Sequence, residues 1–160
     1  MARRPVSAED KAWKKSLAAK DETQRRRELF NAVSKGQHGR AATLLAMGLS
    51  PDMQCEYGRR ICVKQPLLHI AIDRGDERMV DLLLDRGADP DIPNEIADVP
   101  LVKAAQSGRK SIVRLLMKYN ADPRQKDEVH GTALQAAAAR GHESVVTLLK
   151  RYERRLPRPE

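Results

Sequence analysis

Apolar residues recur along this chain in pairs of short amphipathic segments. The clearest pair occupies residues 67–91, where two apolar runs flank a turn that contains Gly75. In the second run, Val80, Leu83 and Leu84 follow the i, i+3, i+4 spacing that places side chains on one face of a helix. The pattern therefore predicts two short helices, which we name helix A and helix B, packed against each other.

This helix pair is repeated along the chain. Four glycines end helix A at intervals of 39, 33 and 33 residues: Gly36, Gly75, Gly108 and Gly141. The prolines that follow helix B show intervals of 39 and 33 residues, and a six-residue insertion between Pro51 and Pro66 explains both longer intervals. A fixed period of self-similarity indicates stacked structural units. We predict four of them, at residues 24–62, 63–95, 96–128 and 129–156.

Particular residue types recur at fixed positions within these units. One position of helix A is always alanine, a small residue that lets neighbouring helices approach closely: Ala32, Ala71, Ala104 and Ala137. Helix B ends at Gly48, Gly87 and Asn120 in the first three units. These residue types tolerate the left-handed backbone conformation at a helix C-terminus. Each of these helices should therefore stop there and lead into an extended loop.

The N-terminal residues 1–23 are predicted to form a basic segment with a short capping helix at residues 8–20. Ser7 is a suitable N-cap for this helix. Trp13 and Leu17 are four residues apart, so they share one helical face. That face would cover the first unit, because the end units of a stack expose an apolar face. The alternative is that Trp13 anchors a peptide that docks on a partner.

The next helix and the last helix have recognisable ends. Asp21 and Gln24 fit a capping box at the start of the first helix A. The last helix B is predicted to run to Leu156, where Pro157 stops it, and to act as a C-terminal cap. Residues 157–160 then form a tail.

Together these residues resemble the ankyrin repeat family over residues 24–152. The family's pattern is roughly T-P-L-H-x-A-x-x-x-G-H-x-x-V-V-x-L-L-L-x-x-G-A-D on a period of about 33 residues. The second unit matches it through Leu68, His69, Ala71, Gly75, Val80, Leu82, Leu83, Leu84, Gly87, Ala88 and Asp89. The third and fourth units match less completely, and the first is degenerate. The segment GTALQAAAARGHESVV is similar to units common in fungal ankyrin proteins.

The resemblance implies an all-α ankyrin-repeat α-solenoid, in which helix-turn-helix units are joined by short β-hairpin-like loops. It also implies a non-catalytic protein–protein interaction scaffold whose unknown protein partner binds a concave face of loop tips and helix A ends. By family correspondence, the partner-binding residues are Val63, Gln65, Asp73, Arg74, Arg86, Glu95, Asp98, Gln106, Ser107, Tyr119, Glu128, Val129, Ala139 and Arg140. Arg86 and Tyr119 are the expected hot spots, because Arg and Tyr are enriched at such positions. We expect a monomer.

Charge is unevenly distributed along the chain, whose net charge is +8. Residues 1–40 carry eleven Lys and Arg against five Asp and Glu, and residues 150–160 carry five against two. Basic ends of this kind can bind nucleic acid or anionic surfaces. An adaptor that binds such partners through its ends is therefore the alternative function. A run of three arginines at residues 25–27 opposes the helix dipole and is either a solvated face or a nuclear-localisation or phosphate-binding element.

The histidines do not suggest catalysis. His69 occupies the position at which the family's histidine bonds the backbone of the neighbouring loop, and His142 follows a turn glycine, so we expect structural roles for both. His38 and His130 have no nucleophile or carboxylate at the spacing that acid–base chemistry needs. We therefore expect no enzyme activity.

The two cysteines flank the insertion. Cys55 and Cys62 are expected to be unpaired, since two thiols without a histidine motif are a poor set of metal ligands. The insertion, which includes Tyr57, Arg59 and Arg60, is either a contact surface or a neutral addition. So few cysteines favour a reducing compartment, cytoplasmic or nuclear. The chain start lacks the apolar region of a signal peptide, and no run is apolar enough to span a membrane. No metal and no cofactor are expected.

Overall fold

The computed structural model of the chain describes residues 8–57 and 63–154. The helices in these ranges are α1 (Ala8–Ala18), α2 (Glu22–Ser34), α3 (His38–Ala46), α4 (Leu67–Arg74), α5 (Glu77–Asp85), α6 (Pro100–Gln106), α7 (Lys110–Lys118), α8 (Ala133–Ala139) and α9 (Glu143–Glu153). Two antiparallel hairpins accompany them: β1 (Gln54–Tyr57) with β2 (Val63–Pro66), and β3 (Lys126–Asp127) with β4 (Gly131–Thr132). Expectations for Ser7, Arg59, Arg60, Cys62 and 157–160, and for the side chains of Cys55 and Tyr57, lie outside what the structure describes.

Helices α2 to α9 form four antiparallel pairs that stack side by side. The first helices of the pairs contact one another in the order α2, α4, α6, α8, and the second helices in the order α3, α5, α7, α9. We name these two layers the A row and the B row. A continuous apolar core lies between the rows and extends from Leu17 to Leu149. The predicted all-α solenoid is confirmed. None of the helices described has both the length and the apolar character that crossing a membrane requires.

The predicted helix ends are confirmed where the backbone becomes left-handed. Gly75 has a φ of 69° after α4, and Asn120 has a φ of 65° after α7. Asparagine is one of the few residues with a side chain that adopts this conformation readily, which explains why it stands where two other units have glycine. Gly75 is also crowded by the Arg109 guanidinium, so a side chain at this turn would displace it.

The loop between α5 and α6 differs from the predicted hairpin, because no strand pair forms there within the described residues. Instead the buried Asn94 closes a compact turn. Its Oδ1 accepts hydrogen bonds from Ile96 N at 3.1 Å and Asp98 N at 2.9 Å, and Asn94 N donates to Asp98 O at 3.1 Å. The side chain thus replaces the ladder hydrogen bonds that a second strand would supply.

Helix α1 covers the first unit, as expected, although it ends at Ala18 rather than at residue 20. Leu17 is fully buried, and Trp13 packs against the same core with the Arg40 guanidinium 5.1 Å from its ring centre. These contacts favour the capping role of Trp13 over the docking-peptide alternative. The predicted capping box of α2 is confirmed, since Asp21 and Gln24 bond each other's backbone reciprocally.

Arg25 explains part of the cationic run that seemed to oppose the dipole of α2. Its guanidinium donates to Leu17 O at 3.3 Å and to Ala18 O at 3.2 Å. Carbonyls in the last turn of a helix lack their usual backbone donors. Arg25 therefore ties α2 to the end of α1, whereas Arg26 and Arg27 are exposed.

The last helix is shorter than expected. Helix α9 ends at Glu153, and Arg154 is its C-cap, with its N–H donating to Lys150 O at 3.3 Å. The prediction that the helix runs to Leu156 relied on Pro157 as the stop. Because proline also disfavours helical conformation at the residue before it, a helix ends more readily ahead of that point.

Candidate functional site

A largely buried lysine that the sequence analysis missed organises the start of the candidate surface. Lys103 Nζ lies 3.1 Å from Asp73 Oδ1 and 3.4 Å from Asp98 Oδ2, so it joins helix A of the second unit to the loop that follows. Gln65, in β2, donates to Asp73 Oδ2 at 3.2 Å. Three predicted partner-binding residues are thus brought together around one ammonium group. Asp98, five residues before Lys103, is a local signal in the sequence, whereas Asp73 is brought near Lys103 only by the stacking of units.

The turn closed by Asn94 presents an apolar residue to solvent. Ile96 is 65% exposed at the tip of this turn, and the neighbouring Glu95 is exposed as well. Ala97, which follows, has a φ of 58°, an uncommon conformation for a residue with a side chain. The hydrogen bonds of Asn94 close this turn, and Glu95 and Ile96 lie exposed at its tip.

The β3–β4 hairpin presents the same pair of residue types. Val129 is 76% exposed at its tip, directly after the exposed Glu128. Asp127 is buried beneath, and its carboxylate accepts from Val129 N at 3.0 Å and from the backbone and ring of His130. Burial raises the pKa of the Asp127 carboxyl, but the hydrogen bonds from His130 outweigh this effect and hold the pKa below its usual value.

Two histidines were wrongly expected to lack a carboxylate. His38 Nε2 lies 2.8 Å from Asp76 Oδ1, and His130 Nδ1 lies 2.9 Å from Asp127 Oδ2. The first pair joins neighbouring units, and the second stabilises a hairpin. The other ring nitrogen of His130 is 2.5 Å from the amide nitrogen of Gln106 rather than next to a nucleophile. The pairs therefore hold units and loops together, and Gln106 is fixed against the fourth unit.

The C-terminal ends of the A row carry the rest of the predicted surface. Arg74, Ser107 and Arg140 occupy equivalent positions at intervals of 33 residues and are all exposed, as is Ala139. Val63 lies in β2 opposite Tyr57. We group the loop tips, which Lys103 and Gln106 link to the A row, with these helix ends and name the group the tip face. Its members are Gln65, Asp73, Arg74, Glu95, Ile96, Asp98, Gln106, Ser107, Glu128, Val129, Ala139 and Arg140.

The two expected hot spots, Arg86 and Tyr119, lie at the ends of helices of the B row. Arg86 is the C-cap of α5 and donates to Ala42 O in α3 at 3.1 Å. Tyr119 is the C-cap of α7, and its hydroxyl bonds Asp81 in α5 at 3.3 Å. Both side chains bridge neighbouring helices of the B row. Their place among the partner-binding residues stays a prediction, and these contacts fix both side chains against the preceding helix. Ile96, which the sequence analysis overlooked, is 65% exposed, whereas Tyr119 is half-buried.

The two histidines expected to be structural are so. His69 is fully buried, and its Nε2 bonds Ile92 O in the next loop at 2.9 Å. Burial lowers its pKa below the ordinary value of 6.5, because the charged ring is excluded from a dry site. His142 Nε2 bonds Gln106 O at 2.9 Å and so links the third and fourth units.

In the ranges that the structure describes, no three His, Cys, Asp or Glu side chains are grouped as metal ligands.

Among comparisons with known proteins, the pattern that defines "ankyrin repeats (3 copies)" matches residues 68–156, more than half of the chain. No curated protein matches the sequence of this chain. Ankyrin repeats are generally protein–protein interaction modules and are typically non-enzymatic scaffolds. The stacked helix pairs, the buried His69 with its loop bond and this match agree, and the chain belongs to the ankyrin repeat family.

Proposed function

We propose that this chain is a non-catalytic scaffold that binds a protein partner on the tip face. One observation carries the proposal. Ile96 and Val129 are 33 residues apart at equivalent positions of two neighbouring units, and both are largely exposed at the tips of hydrogen-bonded turns. Covering an exposed apolar side chain is favourable, because it removes apolar surface from water. Apolar residues exposed at equivalent positions of two units therefore support a binding site for a partner.

Charge next to these residues favours a particular kind of partner. Glu95 and Glu128 precede the two apolar residues, again at equivalent positions, and both are exposed. Asp73 and Asp98 on the same face share one cation, Lys103, so these three side chains add one further negative charge. A partner segment that combines aliphatic or aromatic side chains with Lys or Arg would complement the tips in shape and charge.

Affinity capture from cells that express the chain, followed by mass spectrometry, tests the proposal. The test variant is the double substitution Ile96→Asn and Val129→Asn. The matched control is Met47→Gln, because Met47 is another exposed apolar residue, 43% exposed, but lies at the end of α3 in the B row. Recovery of the partner should fall by at least about tenfold in the test variant, since each covered aliphatic side chain contributes roughly 1.5–3 kcal/mol.

The control should retain the partner, and both variants should keep the circular dichroism of the parent protein, because all three side chains lie outside the core. Equal recovery by the double variant and the control would contradict the proposal. With the partner in hand, Glu95→Lys and Glu128→Lys together should raise its Kd. Asp85→Lys should not, since equivalent units carry Lys118 and Arg151 at that exposed B-row position.

A second candidate function is binding of nucleic acid or an anionic surface through the basic ends. It is favoured by five exposed cations of α1 and α2: Lys11, Lys14, Lys15, Arg26 and Arg27. A titration against DNA and RNA at two salt concentrations separates it from the first, because phosphate contacts make affinity fall steeply with salt. Replacing the five residues with glutamine should abolish such binding and leave partner capture unchanged. An absence of binding at low salt would dismiss this candidate.

The proposal excludes catalysis by this chain. His38 and His130 bond carboxylates that join units or brace a hairpin, which is a structural use of the pair. A reproducible turnover abolished by replacing one polar residue would contradict this part of the proposal. A cytoplasmic or nuclear location is proposed on the same basis as before, the small number of cysteines.

A further inference from the structure

The B row holds a carboxylate at the boundary between the second and third units. Tyr119 donates from its hydroxyl to Asp81 Oδ1 at 3.3 Å, and Lys118 Nζ lies 3.7 Å from the same oxygen. Lys118 also stands over the Tyr119 ring, 4.7 Å from its centre. A cation and a tyrosine at the end of one helix B therefore both contact an acidic side chain of the preceding helix B.

The boundary between the third and fourth units has the same cation and tyrosine positions, but it has no acidic residue at the position of Asp81. Arg151 and Tyr152 on α9 are the equivalents of Lys118 and Tyr119, 33 residues later. The position equivalent to Asp81, however, is Arg114 on α7. Helices α7 and α9 pack against each other, as α5 and α7 do. This boundary therefore has two guanidinium groups and a phenol. The boundary between the second and third units has an ammonium group, a phenol and a carboxylate at the equivalent positions.

These three donors line a cleft. Arg114, Arg151 and Tyr152, with the apolar Leu148 beside them, surround a volume of about 250 Å³. In residues 8–57 and 63–154, the ion pairs include neither Arg114 nor Arg151. An anion that enters the cleft would therefore be attracted by two cations that form no ion pair in these ranges.

We propose that this cleft binds the carboxylate of an acidic side chain on a protein partner. The neighbouring boundary supplies the template, because Asp81 already fills the same arrangement. Guanidinium groups recognise carboxylates through paired parallel hydrogen bonds, which a lysine cannot supply. The cleft is smaller than the usual pocket for a whole small molecule, which is about 300–1,000 Å³, but it admits one glutamate or aspartate side chain.

This second site is independent of the tip face. It lies on the B row, at the opposite layer of the stack, and it selects the opposite charge. The tips present Glu95 and Glu128 to a basic segment, whereas the cleft presents Arg114 and Arg151 to an acidic one. A single partner that engages both would need separate segments, so each site can be removed without the other.

Nuclear magnetic resonance titration at constant ionic strength tests the proposal on the full chain. The probe is a neutral-ended peptide with two adjacent glutamates, and its matched control has glutamines instead. Glutarate and inorganic phosphate form two further arms. The side-chain Nε–H signals of Arg114 and Arg151 and the ring signals of Tyr152 should shift together and saturate with the glutamate peptide, and should not respond to the glutamine peptide.

Two variants at equivalent positions sharpen the measurement. Arg151→Gln should weaken binding of the glutamate peptide by about tenfold or more, as expected for a lost hydrogen bond to a charged group. Lys118→Gln removes the same charge from the boundary that Asp81 already fills, and should leave the affinity unchanged. Arg114→Asp should abolish binding, because it supplies the carboxylate from within the chain.

The outcomes are distinguishable. Equal weakening by Arg151→Gln and Lys118→Gln would show only non-specific charge attraction and would overturn the proposal. Tighter binding of phosphate than of either carboxylate would overturn the choice of ligand. Tighter binding of glutarate than of the peptide would replace the protein partner with a small dicarboxylate. Retained binding in Arg114→Asp would show that the cleft is not the site.

Discussion

The second and fourth units share a plan but differ in how they are held. In α4 six consecutive residues, 67–72, are buried, because the second unit packs between two neighbours. In α8 only Ala133, Ala136 and Ala137 are buried, since within the described residues the fourth unit packs against a neighbour on one side. The comparison teaches that an interior unit is stabilised by burial, whereas a unit at the edge of the stack depends on local helix signals.

Those local signals are visible at the start of α8. Thr132 and Gln135 form a capping box, in which Gln135 Oε1 accepts from Thr132 N at 2.9 Å and Thr132 Oγ1 accepts from Gln135 N at 3.4 Å. The equivalent residues of the second unit are Pro66 and His69. There the histidine reaches instead to the next loop, which only an interior unit has on that side. The start of helix A is therefore stabilised by a capping box in the fourth unit and by a buried hydrogen bond in the second.

The largest expected effect comes from truncating one core leucine in each unit. Leu83 and Leu149 are equivalent and both fully buried. Leu83→Ala should cost roughly 4 kcal/mol and Leu149→Ala roughly 2 kcal/mol, within the range for buried leucines. The terminal cost is smaller because the fourth unit can open locally before the stack unfolds. Urea unfolding followed by circular dichroism gives both values, and equal losses would contradict the distinction between the units.

A smaller effect is expected from the residues that start helix A. His69→Ala should cost roughly 2 kcal/mol, because it removes a buried hydrogen bond and leaves Ile92 O without its donor. Gln135→Ala at the equivalent position should cost about 1 kcal/mol, the usual value of a cap. The comparison would fail if the capping residue mattered more than the buried histidine.

His69 also predicts a dependence on pH. Its pKa in the folded protein lies below the ordinary 6.5, because burial disfavours the charged ring. As pH falls below that ordinary value, the unfolded chain takes up a proton that the folded chain resists. Wild-type stability should therefore decrease, and the decrease should end where folded His69 itself becomes protonated. The difference in stability between wild type and His69→Ala, measured across this range, isolates the effect from the other histidines.

The sequence predicted the period, the helix pairs and the loop bond of His69, because these depend on residues that recur at fixed intervals. It did not predict contacts that follow from the stacking of units. His38 and Asp76 are 38 residues apart, and nothing local marks them as partners. Lys103 lies between two acids of different segments for the same reason. The contacts of Arg86 and Tyr119 with the preceding helix of the B row were not predicted either, because they also follow from stacking.

The smallest expected effect concerns one unsatisfied atom in the second unit. His69 Nδ1 is buried and has no hydrogen-bond partner, although Nε2 is bonded to the next loop. In the fourth unit, the residue three positions before Gln135 is Thr132, whose N–H fills the equivalent place. In the second unit that residue is Pro66, and proline has no N–H. The two N-cap backbones are similar, with φ and ψ of −59° and 146° at Pro66 and −77° and 161° at Thr132.

Pro66→Thr should therefore raise the stability of the protein. Satisfying a buried acceptor is worth about 1–3 kcal/mol, whereas the greater freedom of the unfolded chain without proline costs about 0.4–1 kcal/mol. We expect a net gain of roughly 1 kcal/mol in urea unfolding from these two terms. The same substitution in a His69→Ala background should lose the gain and retain only the cost, because the acceptor is gone. An identical change in both backgrounds would show that the introduced threonine acts without His69, and that the two units differ at this position for a reason other than the missing N–H.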